Sequence, residues 1–241
     1  FGSSLPPLFC FSLFASPAML RAFGRGQRTV GYSLASRRLS TCPPAPLHVV
    51  LDMDETMVHV SVRERGAQFR ISTDRSDLYV HVRPGLEQFL QTLDEQGYRV
   101  SVYTAARQEY ADPILDIVDP MRVIKARYYR EMCLEPRDIG GGRREYLKDV
   151  TRVDPALERT VLVDNCPASH VLRPSNGILV PDFRGRNKKD NTLQAVAQLL
   201  ADCAEAPDVR QVLRRARDTE DADVSVCDIT SVPIAATAHM G

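Results

Sequence analysis

Residues 47–56 read LHVVLDMDET, an apolar run that ends in three acids within four positions. LHVVL has the length and apolar content of a strand buried on both faces. An ionised carboxylate loses its hydration when buried, so acids do not belong inside such a strand. Asp52 and Asp54 therefore mark where the strand leaves its sheet, at a point that has a use for charge.

The segments downstream place that strand in a parallel sheet. Residues 58–83 alternate polar and apolar in VHVSV, QFRIS and LYVHV, separated by RERGA and TDRSD, which reads as β-hairpins. Pro84 opens a helix with Leu86, Phe89, Leu90 and Leu93 on one face, and Gly97 closes it. YRVSVY at 98–103 is the next strand, with Thr104 at its end. Residues 107–118 have a helical pattern, which Pro113 is expected to kink or break. Residues 121–150 read as an irregular insertion, with YREMC a candidate strand and GGG at 140–142 a loop. RTVLVDN (159–165) and NGILV (176–180) are further strands. Residues 191–205 form a helix and 208–217 a shorter, basic-faced one. Strand alternating with helix predicts an α/β fold around a parallel sheet.

Composition limits the function. The 241 residues are 44% hydrophobic and 26% charged, with formal net charge zero. That zero is a cancellation: no acid precedes Asp52, and the same stretch holds Arg21, Arg25, Arg28, Arg37 and Arg38. The remainder has 26 basic against 31 acidic residues, which gives no global reason to expect nucleic-acid binding. Residues 19–41, rich in Arg and Ser and free of acids, have the composition of a mitochondrial presequence, with Met19 as the expected initiator. Cytoplasm or nucleus is the alternative location. The apolar stretch 5–20 is cut by Pro6, Pro7 and Pro17 and falls short of the ~20 residues that span a bilayer. The six cysteines, Cys10, Cys42, Cys133, Cys166, Cys203 and Cys227, show no CxxC pair, so neither a zinc site nor a disulfide scaffold is expected. The division that follows is a leader at 1–42, a domain at 43–217 and a disordered tail at 218–241.

The polar residues at strand ends carry the chemistry. Ligands of open α/β sheets bind at the carboxyl ends of the strands. Asp52, Asp54, Thr104, Asp164 and Asn165 converge there if their strands are neighbours. A carboxylate at Asp52 can attack phosphorus and form an acyl phosphate. Mg²⁺, which takes oxygen ligands, removes the repulsion between carboxylate and phosphate. Asp54, two residues on, can give a proton to the leaving oxygen and then activate water. Thr104 can hydrogen-bond a phosphoryl oxygen, and Lys148 in YLKDV can offset charge.

DMDET resembles the DxDx(T/V) signature of the haloacid dehalogenase superfamily. YVHVRPGLEQFL, VYTAARQEYADPILDIVD, ARYYREMC, YLKDV and LVDNCPASHVLRPSNGILV together resemble the FCP/SCP-type protein phosphatases, over roughly residues 46–217. That family includes small phosphatases of the RNA polymerase II C-terminal domain, Dullard-type phosphatases and a phosphatase-like subunit of the mitochondrial inner-membrane translocase. The resemblance implies a Rossmannoid sheet with a β-hairpin flap, a small insertion and no large cap domain. It implies Asp52 as nucleophile, Asp54 as general acid/base, and Thr104 and Lys148 as phosphate-holding residues. Mg²⁺ would bind the Asp52 carboxylate, the Asp54 backbone carbonyl and the Asn165 side chain, with Asp164 in support. Thr56, which shapes the turn after the strand, and Arg130, which contacts substrate phosphate, stand on the substrate side.

One departure stands out. Where polymerase-tail phosphatases often carry a WFDD-like segment, this chain has PDFRGRNKKDNTL and no Trp. Its basic residues Arg184, Arg186, Lys188 and Lys189 read as a solvated loop, with attraction to an acidic substrate the sharper alternative. The expected function is a Mg²⁺-dependent serine/threonine protein phosphatase acting on a phosphorylated protein segment. The alternative is a binding role with the mitochondrial import machinery. A small-molecule phosphatase is disfavoured by the lack of a cap.

Overall fold

A computed structural model describes residues 45–73, 76–135 and 146–218, all within the compact unit Cys42–Gly241. The expected leader, the GGG loop and nearly all of the tail lie outside the described residues. In chain order the elements are β1 (His48–Leu51), β2 (Val58–Ser61), β3 (Phe69–Ser72), β4 (Asp77–Val82), α1 (Leu86–Glu95), β5 (Arg99–Tyr103) and α2 (Gln108–Val118). Then follow β6 (Ile124–Tyr128), β7 (Thr160–Asp164), α3 (Pro167–His170), β8 (Gly177–Leu179), α4 (Thr192–Glu205) and α5 (Val209–Asp218).

The main sheet is parallel with order β6-β5-β1-β7-β8. β1 is its centre and every one of its residues is buried, as a strand covered on both faces must be. Val49 and Leu51 join the larger core with the buried faces of α1, α2, α4 and α5. Val50 points the opposite way, as strand alternation requires, and joins Tyr103, Val150 and Leu162 in a smaller core. The second sheet, order β2-β4-β3, is antiparallel. The chain is therefore an α/β Rossmann-like domain with a small β flap and no large cap among the described residues.

α1 follows its sequence signals: Leu86, Phe89, Leu90 and Leu93 are buried, and Gly97 adopts φ +68° just past the end. Three expectations are corrected. α2 is not broken at Pro113, although the proline lacks the N–H that would bond the Glu109 carbonyl, because Ala111, Ile114, Leu115 and Val118 are buried in the core on both sides of it. Residues 130–132 of YREMC form a 3-10 turn, and the strand in that region is β6 just before it. The flap is not a run of consecutive hairpins: β4 lies between β2 and β3, so the RERGA segment bridges across it.

Candidate active site

Leu51 pairs with Val102 of β5 on one side and Val163 of β7 on the other. Asp52, Thr104 and Asp164 therefore leave the same edge of the sheet side by side. The backbone reverses at once beyond Asp52. Glu55 takes a left-handed φ of 63°, and Met57 and Val58 both donate their N–H to the Met53 carbonyl. This tight turn keeps Asp54 beside Asp52. A cleft of about 760 Å³ opens over the edge, lined by Asp52, Asp54, Thr104, Arg130, Lys148, Asp164 and Asn165 among others.

Lys148 organises the floor. A short antiparallel bridge, Leu134 to Leu147, holds its backbone on one side. On the other, Asp149 caps the 3-10 turn at 150–152 by accepting from Thr151 N. Lys148 is 2% exposed, and its Nζ donates to Asp52 Oδ1 at 2.5 Å and to Asp164 Oδ2 at 2.6 Å. Burial alone would lower the lysine's proton affinity, but Asp164 and Asp52 more than reverse it, so the ammonium is held charged. One cation facing two carboxylates leaves the floor anionic. Burial first, then Asp164, lifts Asp52 to about 7 against the pull of Lys148. Burial also lifts Asp54 to about 6, opposed by a hydrogen bond from Tyr110, whose hydroxyl donates to Asp54 Oδ1 at 2.9 Å.

Thr104 Oγ1 accepts from Ala106 N at 3.0 Å, which leaves its hydroxyl proton available to the cleft. Arg130 donates Nε to the Ala105 carbonyl at 2.7 Å and lies over the Tyr146 ring, 5.1 Å from its centroid. Its terminal nitrogens keep a fork suited to an oxyanion.

Thr56 departs from expectation. It is fully buried behind the cleft and cannot touch substrate. Its Oγ1 donates to Asn165 Oδ1 at 3.1 Å and accepts from Asn165 N at 3.2 Å, so it positions Asn165. Asn165 Nδ2 donates to Asp182 Oδ1 at 2.8 Å, which fixes the amide with its oxygen toward Thr56. Sequence reasoning missed Tyr110, Tyr146, Arg107 and Ser169 in the cleft wall. Tyr110 stands within a quoted block, but no spacing rule ties a helical tyrosine to an aspartate 56 residues away.

The donors at the strand edge fit a hard cation. Asp52 Oδ2 and the Asp54 carbonyl have no hydrogen-bond donor among the described residues, and the Asn165 amide oxygen, which accepts from Thr56 Oγ1, keeps a second lone pair. No cluster of three His, Cys, Asp or Glu suited to a metal occurs among the described residues. Mg²⁺ keeps several of its waters and needs few protein ligands, so the oxygen set is adequate for it.

A parallel sheet with paired aspartates at the end of its central strand, met by a buried lysine, is an arrangement of the haloacid dehalogenase type. Within that type, the chain belongs to the NLI interacting factor-like phosphatases, a family that matches residues 47–210. The human carboxy-terminal domain RNA polymerase II polypeptide A small phosphatase 1 is 33% identical over 174 residues, covering 70% of this chain and 64% of that one. Phosphatase PSR1 of Saccharomyces cerevisiae is 34% identical over 159 residues, covering 64% and 35%. The chain thus spans less than two thirds of these relatives' lengths. The solved structure of Fcp1, an essential RNA polymerase II CTD phosphatase, superposes with a TM-score of 0.43 at 19% identity, over 73% of this chain and 54% of that one.

Proposed function

We propose that the chain is a Mg²⁺-dependent protein phosphatase that acts on phosphoserine or phosphothreonine through an aspartyl-phosphate at Asp52. The observation that carries this reading is Lys148, buried and bonded to both Asp52 and Asp164 beneath a cleft that Asp54 also lines. A phosphate monoester brings negative charge onto an anionic floor. Lys148, Arg130 and the Thr104 hydroxyl offset part of it. Mg²⁺ held by Asp52, the Asp54 carbonyl and Asn165 would supply the remaining positive charge at the phosphoryl oxygens.

The ionised Asp52 oxygen attacks phosphorus, and the bond from phosphorus to the serine or threonine oxygen breaks. Asp54 gives its proton to that leaving oxygen. A carboxyl lifted to about 6 is close enough to neutrality to be found in both forms, as an acid that must later act as base requires. The Tyr110 bond engages Oδ1, so Oδ2 is the oxygen free to carry the proton. In the second half Asp54, now a carboxylate, takes a proton from water as the water oxygen attacks phosphorus. The bond to Asp52 breaks and inorganic phosphate leaves.

Protein as the substrate class is supported by the human relative, whose name places its action on a polymerase subunit, and by a cleft that carries no large cap among the described residues. The import alternative rests on the leader, and no observation on the described residues favours it. The test is hydrolysis of phosphoserine, phosphothreonine and phosphotyrosine peptides by the full chain, with Mg²⁺ or with EDTA. Hydrolysis of the first two, lost in EDTA and restored by Mg²⁺, is expected. Turnover indifferent to EDTA, or confined to phosphotyrosine, would contradict the reading.

A further inference from the structure

The loop after β8 carries four cations in six residues, Arg184, Arg186, Lys188 and Lys189. Its backbone is tied down. Phe183 N donates to the Glu55 carbonyl at 2.7 Å, next to Asp54. The Phe183 ring is buried with the Arg83 guanidinium 5.6 Å from its centroid. Gly185, at φ +72°, lies so close to β4 that a Cβ would stand 2.8 Å from His81 Cγ. Asp190 accepts from Arg83 at 3.0 and 3.1 Å.

The cations divide into two kinds. Arg184 bonds Asp182, whose other oxygen holds Asn165 of the cleft. Arg186, Lys188 and Lys189 are exposed, and their side chains have no ion pair or hydrogen bond among the described residues. A hollow of about 360 Å³ opens beside Arg186, lined by Arg184 and Arg186 and also by Asp182 and Asp190, whose carboxylates are already bonded by Arg184, Asn165 and Arg83. A solvated loop with no role needs no such anchoring, whereas this one is tied to Asn165 of the cleft through Arg184 and Asp182 and carries three further cations on the same short segment. Three charges on one short loop suit a side-chain anion better than a polymer backbone.

We propose that this loop is a second anion subsite, which takes a carboxylate or a second phosphate on the same substrate segment. The inference rests on the phosphatase reading of the cleft. Arg186 is four residues from Asp182, and an extended chain covers at most about 3.6 Å per residue. The Arg186 Cα therefore lies at most about 14 Å from that of Asp182, and with the reach from Asp182 to the cleft added the anion belongs within about six residues of the phosphorylated one.

The experiment compares kcat/KM of the full chain on phosphopeptides carrying phosphoserine, glutamate or alanine at those flanking positions. A preference of about fivefold or more for the anionic peptides at low salt, shrinking as salt rises, is expected. Arg186→Gln/Lys188→Gln/Lys189→Gln should bring the ratio close to one. Preference for flanking phosphoserine alone would assign the subsite to phosphate, and preference for both would extend it to carboxylates. No preference in the unaltered chain, or one that survives in the triple variant, overturns the proposal. Binding of the same peptides to Asp52→Asn reads the ratio without turnover. The two readings thus fail separately: a chain that binds with the expected ratio yet hydrolyses neither these peptides nor an aryl phosphate contradicts the phosphatase reading alone.

Discussion

His48 shows how a single residue at the far end of β1 sets a pH limit on the fold. Its Nε2 meets Ser101 Oγ at 2.8 Å and its Nδ1 meets Asp154 Oδ2 at 3.0 Å, while Arg99 pairs with the same carboxylate at 2.9 Å. Ser101 is buried in β5, so this serine, histidine and aspartate knit the sheet rather than attack a substrate. Burial, the largest influence, lowers the proton affinity of His48 although Asp154 opposes it. A histidine whose folded pKa lies below the unfolded value binds fewer protons folded than unfolded. Stability is then lost as pH falls below about 6.5, by at most about 1.4 kcal/mol per pH unit, and is untouched above it. Asp52 and Asp54, lifted by burial, pull the other way over the same range, so the comparison must be with a variant. Urea unfolding from pH 7.5 to 5 should show a shallower acid loss in His48→Gln than in the unaltered chain. Parallel curves would mean that His48 sets no acid limit on the fold.

At the scale of elements, Arg83 joins pieces that the sequence keeps far apart. Fully buried after β4, it donates to the Thr56 carbonyl, the Pro181 carbonyl, Thr192 Oγ1 and both oxygens of Asp190. The turn after β1, the flap, the loop after β8 and the start of α4 thereby share one guanidinium. Asp190→Ala would leave that charge buried and half paired, at a cost of about 3–5 kcal/mol. Denaturant unfolding checks it, and a loss under 1 kcal/mol would mean that the carbonyls suffice. The sequence did not disclose this clamp, because RPG reads as a strand stop and Asp190 lies 107 residues on. Long-range polar partners leave no periodicity. β1, β5, β7 and α1 were legible because each is a clean apolar run or stripe. β6 was not, since IKARY is mostly half-exposed and mixes cations with its apolar residues. The order β2-β4-β3 was hidden for another reason: alternation marks strands but not their neighbours. At the site, Asp52, Asp54, Thr104, Asp164 and Asn165 were readable as polar residues at strand ends. Lys148 was placed by chemical need and chain order, whereas Tyr110 and the positioning role of Thr56 are products of tertiary packing alone.

For the whole molecule, we propose that 43–217 is the folded phosphatase domain, between a leader at 1–42 and a tail at 218–241. Limited proteolysis of the full chain should leave a fragment with ends near those limits, and rapid cleavage inside β1 or α4 would contradict the division. The acid-free leader is the sole basis for proposing a mitochondrial destination. Fractionation of cells expressing the full chain with a C-terminal tag tests it, and recovery only in cytosol or nucleus would refute it. Covalent catalysis at Asp52 is open to direct chemical capture. The full chain, mixed briefly with phosphopeptide and Mg²⁺ and quenched in acid, would be reduced with borohydride and mapped by mass spectrometry. Conversion of Asp52 to homoserine, dependent on substrate and Mg²⁺, is expected. Conversion at another carboxylate, or none under conditions of steady turnover, would contradict covalent catalysis there.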